Sequence, residues 1–207
     1  MDSDNFLNEV EHYYSEKIQR YGATPQGVDW NSQESQTLRF EQLLKCFDIS
    51  QAFSINDYGC GYGSLVDYLI QQGHLFQYRG FDISEAMIKR AKELHHELNQ
   101  CEFFTEESRL TVADYTVASG IFNVKLGTSN ETWQKYIMRM LKKFSELSNN
   151  GFAFNILTKY SDRDHMRPDL YYADPLFFFD YCKKNFSRYV SLLHDYPLFE
   201  FTIAVKK

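Results

Sequence analysis

Basic residues, prolines, paired cysteines and long apolar runs are all scarce in this 207-residue chain. Its 22 Lys and Arg stand against 28 Asp and Glu, a net charge of −6. An acidic chain has little electrostatic attraction for a phosphate backbone, which counts against a nucleic-acid partner. The four cysteines, Cys46, Cys60, Cys101 and Cys182, are scattered. They form no CxxC pair and have no zinc-ligand spacing to a His, so reduced thiols of a cytoplasmic protein are expected, and no metal site. No apolar run approaches the ~20 residues that cross a bilayer. The opening MDSDNFLNEVEHYYSEK has neither a basic n-region nor an apolar h-region. No signal peptide and no membrane partner are therefore expected. With four prolines, no Gly/Ser linker and no internal repeat, nothing divides the chain. Its length suits one domain with a real core, as a monomer or homodimer.

Aromatic side chains are plentiful: 18 Phe and 15 Tyr make rings available for pocket walls. Helical periodicity runs over residues 5–20, a turn-rich stretch over Gly22–Asn31, and a second helix over Gln33–Phe47 with Ser32 as its cap. From Phe53 onward strands and helices alternate. Strands are expected at 53–57, 77–82, 102–104, 116–122 and 152–157, with helices at 64–72, 84–98, 130–148 and 175–185. Such alternation requires a mainly parallel sheet with helices on both faces. Segments 189–193 and 199–205 are joined by too short a connection for a parallel crossover, so they read as an antiparallel hairpin.

The most telling stretch is FSINDYGCGYGSL, Phe53–Leu65. A strand ends in Asp57, Gly59, Gly61 and Gly63 alternate, and a helix starts at Ser64. The dinucleotide fingerprint G-x-G-x-x-G fails at Ser64. A carboxylate at Asp57 would also repel a pyrophosphate, whereas it attracts ammonium and sulfonium groups. A second acid, Asp82, ends the next strand about twenty residues on, where a carboxylate accepts ribose hydroxyls. Capping the following helix is its alternative role.

The pattern D-x-G-x-G-x-G, the second acid Asp82 and the terminal hairpin resemble the class I S-adenosylmethionine (SAM)-dependent methyltransferases, of the bacterial small-molecule type. The resemblance covers residues 50–207 and implies a three-layer Rossmann-like α/β sandwich. Its seven-stranded sheet would be mainly parallel with an antiparallel last strand. Residues 1–49 would form an N-terminal helical lid, within a single structural domain overall. SAM would be the donor and S-adenosylhomocysteine (SAH) the product. The resemblance implies cofactor contacts from Asp57, Gly59, Gly61, Gly63, Asp82, Ile83, Glu106 and Ser119. Glu106 would meet the adenine amino group, with a solvated acidic turn as the alternative. Asn123 would lie near the transferred methyl, but no Pro follows it. That departs from the tetrad of base- and amide-methylating relatives.

The long segment KYSDRDHMRPDLYYADP after the fifth strand supplies the remaining candidates. His165 and the later His194 are candidate bases. Arg167, Tyr171 and Tyr172 are candidate contacts to an anionic acceptor, set against Asp162, Asp164 and Asp169, which compete for the arginines. Trp30 belongs to the lid, as an acceptor contact or as packing. The reading is methyl transfer to O or N of a small, anionic molecule by in-line displacement. A non-catalytic SAM-binding module, a nicotinamide-dependent oxidoreductase and a protein or nucleic-acid methyltransferase are the alternatives.

Overall fold

The structure, a computed structural model, describes residues 5–207. The first four residues of the expected 1–49 segment therefore lie outside the described residues. The elements run α1 (Asn5–Tyr21), a 3₁₀ turn (Pro25–Val28), α2 (Gln33–Leu44), β1 (Phe53–Tyr58), α3 (Ser64–Gln71), β2 (Phe76–Phe81) and α4 (Glu85–Leu94). They continue with β3 (Cys101–Phe104), a 3₁₀ turn (Glu107–Arg109), β4 (Ala113–Ala118), α5 (Asn130–Glu146) and β5 (Ser148–Leu157). A 3₁₀ turn (Arg163–His165), α6 (Pro175–Asn185), β6 (Tyr189–Leu193) and β7 (Glu200–Lys206) complete the fold.

Local chemistry sets the helix starts. Ser32 caps α2 in a reciprocal box with Ser35, and the Ser84, Ser129 and Asp174 side chains accept from backbone N–H groups in the first turns of α4, α5 and α6. Each such cap contributes about 1 kcal/mol.

The sheet order is β3-β2-β1-β4-β5-β7-β6. Only β7 is reversed, antiparallel to both β5 and β6. The central strands are buried on both faces, as a sheet covered twice requires. One face packs Phe53, Ile55, Tyr115 and Val117 under α2, α3 and α4. The other packs Tyr58, Phe152, Phe154 and Phe201 under α5 and α6. Phe40, Leu43, Leu44 and Phe47 put α2 and its C-terminal extension into the first layer. α2 is thus packed into the sandwich. α1 crosses the edge, with Val10 in one core cluster and Ile18 in a small one with Tyr62 and Met87.

Candidate active site

Parallel strands present their carboxyl ends on one edge, and there β1, β2 and β4 open onto a cavity of about 350 Å³. That volume suits a single small ligand. Gly59, Gly61 and Gly63 hold φ of 80°, 54° and 85°, left-handed values that bring the chain back over the sheet edge. A Cβ on Gly59 would lie 2.1 Å from Ile121, so the turn fits only without a side chain there.

Asp57 is 4% exposed and accepts a 2.7 Å hydrogen bond from the Tyr78 hydroxyl. Burial pushes its carboxyl up to about 7, the Tyr78 bond opposes the shift, and the nearby charge of Asp82 adds to it. Asp82 accepts the Gly61 N–H on one oxygen and the Ser84 N–H on the other, both at 2.9 Å. Its carboxyl is pushed up to about 6 by burial, against those two backbone bonds. Each oxygen keeps a lone pair for a ligand. Ser84 is the cap of α4, so Asp82 braces the glycine turn and the cap residue at once.

Among the residues singled out from the sequence, Trp30, Asp57, Gly59, Gly61, Asp82, Ile83 and Ser119 line the cavity. Several others lie outside it. Gly63 caps α3 and backs onto His95 and Phe103. Glu106 is exposed beside Arg109, and the 3₁₀ turn instead directs Glu107 to the cavity. There Glu107 accepts from both Tyr58 and Lys143, and its carboxyl sits below the usual range; the Lys143 and Tyr58 bonds outweigh burial. Asn123 is buried, with its side-chain oxygen on the Leu157 N–H at 3.1 Å. Tyr171 is packed in the core. Tyr172 accepts the Arg167 N–H at 3.0 Å. The Arg167 side chain is paired with Asp169, and Lys159 with Asp174. His165 and His194 are solvent-exposed, away from the cavity, and ring contacts place them beside Phe199 and Phe201. The loop after β5 thus pairs Arg167 with its own Asp169, and none of its residues lines this cavity.

The sequence reading missed Leu7, Gln36, Glu107 and the α5 residues Trp133, Tyr136, Met140 and Lys143. The i, i+3, i+7 stripe of Trp133, Tyr136 and Met140 was visible, but such a stripe signals core as readily as site. Leu7, Val10 and Tyr14 of α1 roof the cavity. The roof is latched: Asp29 accepts from Tyr13 at 2.8 Å and Lys17 at 2.7 Å, and the Ser15 and Ser84 hydroxyls are 2.7 Å apart.

Comparison with known proteins places this geometry. Residues 55–150 match the family described as methyltransferase domain. The Mycobacterium tuberculosis protein Rv1506c, whose name is that of a methyltransferase, is 45% identical over 164 residues, 79% of this chain and 99% of its own. Solved structures share the fold at lower identity. Human N-acetylserotonin methyltransferase in complex with SAM has a TM-score of 0.66 at 15% identity, over 100% of this chain and 60% of its own. A SAM-dependent methyltransferase from Aquifex aeolicus has a TM-score of 0.57 at 16% identity, over 83% and 97%.

Proposed function

The chain belongs to the class I SAM-dependent methyltransferases, and we propose that its cavity holds SAM for transfer to a small-molecule acceptor. The convergence of the Asp57–Gly61 turn and Asp82 on one cavity carries this reading. The donor's ammonium is drawn to Asp57, and its amino-acid portion lies along the backbone of Gly59 and Gly61. Asp82 takes the ribose hydroxyls with the lone pairs its backbone bonds leave free. Ile83 and Ile121 flank the adenine, and Glu107 replaces Glu106 as the carboxylate nearest its amino group.

The reaction is an in-line displacement. The acceptor's lone pair forms a bond to the methyl carbon while the carbon–sulfur pair returns to sulfur. The donor is already activated, so the chain's contribution is to orient the partners and exclude water. No side chain is assigned as a base, since His165 and His194 stand outside the cavity.

Small size is the property of the acceptor that the roofed cavity supports. Arg167, the candidate contact to an anionic acceptor, is paired with Asp169. A cytoplasmic setting is supported by four unbridged cysteines. Calorimetry with SAH and with NAD tests the reading: SAH binds and NAD does not. Binding of NAD without SAH would overturn it.

A further inference from the structure

We propose that Trp30 is a specificity-determining wall of the donor cavity, which favours the cationic sulfonium of the donor over the neutral thioether of the product. The inference rests on the donor placement proposed above.

Trp30 lines the cavity together with Ser119 and Gly120 at the end of β4. With the amino-acid half of the donor along Asp57–Gly61 and its nucleoside half at Asp82 and Ile83, the sulfonium joins the two beside that strand end. The indole is fixed there from two sides. A Cβ on Gly120 would lie 2.3 Å from the ring, so the glycine lets the indole press against the backbone. The Arg39 guanidinium lies 3.8 Å from the ring centroid.

A cation already stacked on an indole should weaken its attraction for a second one. Here that charge is cancelled. Arg39 donates to the Glu200 carboxylate at 2.9 Å and to the Ser35 carbonyl at 2.9 Å. Glu200 is wholly buried, and its second oxygen has no hydrogen-bond partner among the described residues. The guanidinium's single charge is thus matched by one buried carboxylate. The rest of the indole surface stays electron-rich toward the cavity. Arg39 and Glu200 act through Trp30 and are positioning residues.

Turnover removes the charge that the ring recognises. The acceptor's lone pair bonds to the methyl carbon, the carbon–sulfur electrons return to sulfur, and the acceptor's proton passes to water. The sulfonium becomes a neutral thioether, so the ring contact weakens at the step after which SAH must leave.

Dissociation constants for SAM, SAH and sinefungin, which carries an ammonium where SAM has its sulfonium, test the proposal by calorimetry without any acceptor. Trp30→Leu should weaken SAM and sinefungin about tenfold and leave SAH within about twofold. Trp30→Phe, with a smaller ring, should lose only a few-fold on the two cations and nothing on SAH, and it keeps the test open should the leucine variant not fold. Equal losses for all three ligands, or no loss for the cations, would overturn the proposal. A parent protein that binds neither SAM nor SAH would instead overturn the donor placement.

Discussion

Replacing Asp57 by asparagine should make the ligand-free protein more stable at about pH 8 and cost it the donor. Burial raises this carboxyl from 3.8 to about 7. Each unit is worth about 1.4 kcal/mol, so burying the ionised form costs the folded state on the order of 4 kcal/mol above that pH. Between the two values the folded chain binds a proton that the unfolded chain has released. The stability of the parent therefore falls as pH rises from about 4 to about 7, and this contribution is flat beyond. Asparagine has no charge to bury, and its oxygen can still accept the Tyr78 hydroxyl that meets Asp57 at 2.7 Å. Its amide group brings donors into a site built for acceptors, which costs about 1–3 kcal/mol. A net gain of roughly 1–3 kcal/mol remains at about pH 8, or a few degrees of melting temperature per kcal/mol for a chain of this size. At about pH 5 the gain should vanish or reverse. Thermal melts of both proteins across this range, without ligand, read the effect. A melting difference that is the same at both ends would refute the account of Asp57. The loss of its charge should also weaken SAH by about tenfold or more, so stability and binding move in opposite directions.

Four further outcomes are expected. Asp82→Ala should weaken SAH about tenfold to a hundredfold in calorimetry, beyond what loss of its brace on the Gly61 N–H explains, with the sheet's circular dichroism retained. Gly59→Ala should lower the melting temperature, since a Cβ would meet Ile121 at 2.1 Å in a left-handed backbone, a strain of about 1–3 kcal/mol. His165→Ala and Arg167→Ala should leave SAH affinity unchanged; a marked loss in either would return the loop after β5 to the donor site. Asp29→Asn keeps a residue tolerant of the left-handed backbone but removes the ion pair with Lys17. Hydrogen exchange in α1 should then rise without ligand and fall again with SAH, and an unchanged rate would show that Asp29 does not latch the roof.

The alternation of strands and helices, and the caps Ser32 and Ser84, were legible because each rests on local sequence. The fourth strand was read too late, at 116–122, where β4 spans Ala113–Ala118. Phe122 and Val124 are fully buried although they lie beyond the strand. Hydrophobicity therefore runs past the point where Gly120, at φ 76°, turns the chain out of the sheet. The glycine turn with Asp57 and Asp82 was legible because its chemistry is contiguous. Glu107 was not: only the geometry of a one-turn helix decides which of two adjacent acids faces inward. Nor was the distance of His165 and His194 from the cavity, since a loop's path over a surface leaves no periodic trace in sequence.

The insertion of β7 between β5 and β6 makes the order of synthesis matter. As the ribosome delivers the chain, β1 through β5 can assemble in sequence, yet β5 must wait as an open edge with apolar side chains on both faces. The strand that closes it arrives last and is also the one sheet partner of β6, so β6 joins the sheet only with it. Such long-range closure is slow, and it leaves an adhesive edge exposed meanwhile. The same strand begins with Glu200, the buried partner of Arg39 beneath Trp30. A chain that stalls before β7 pairs would keep its glycine turn and Asp82 but leave Arg39 with no counter-charge. Completion of the sheet and completion of the Arg39–Glu200 pair beneath Trp30 are thus one event in the life of each molecule.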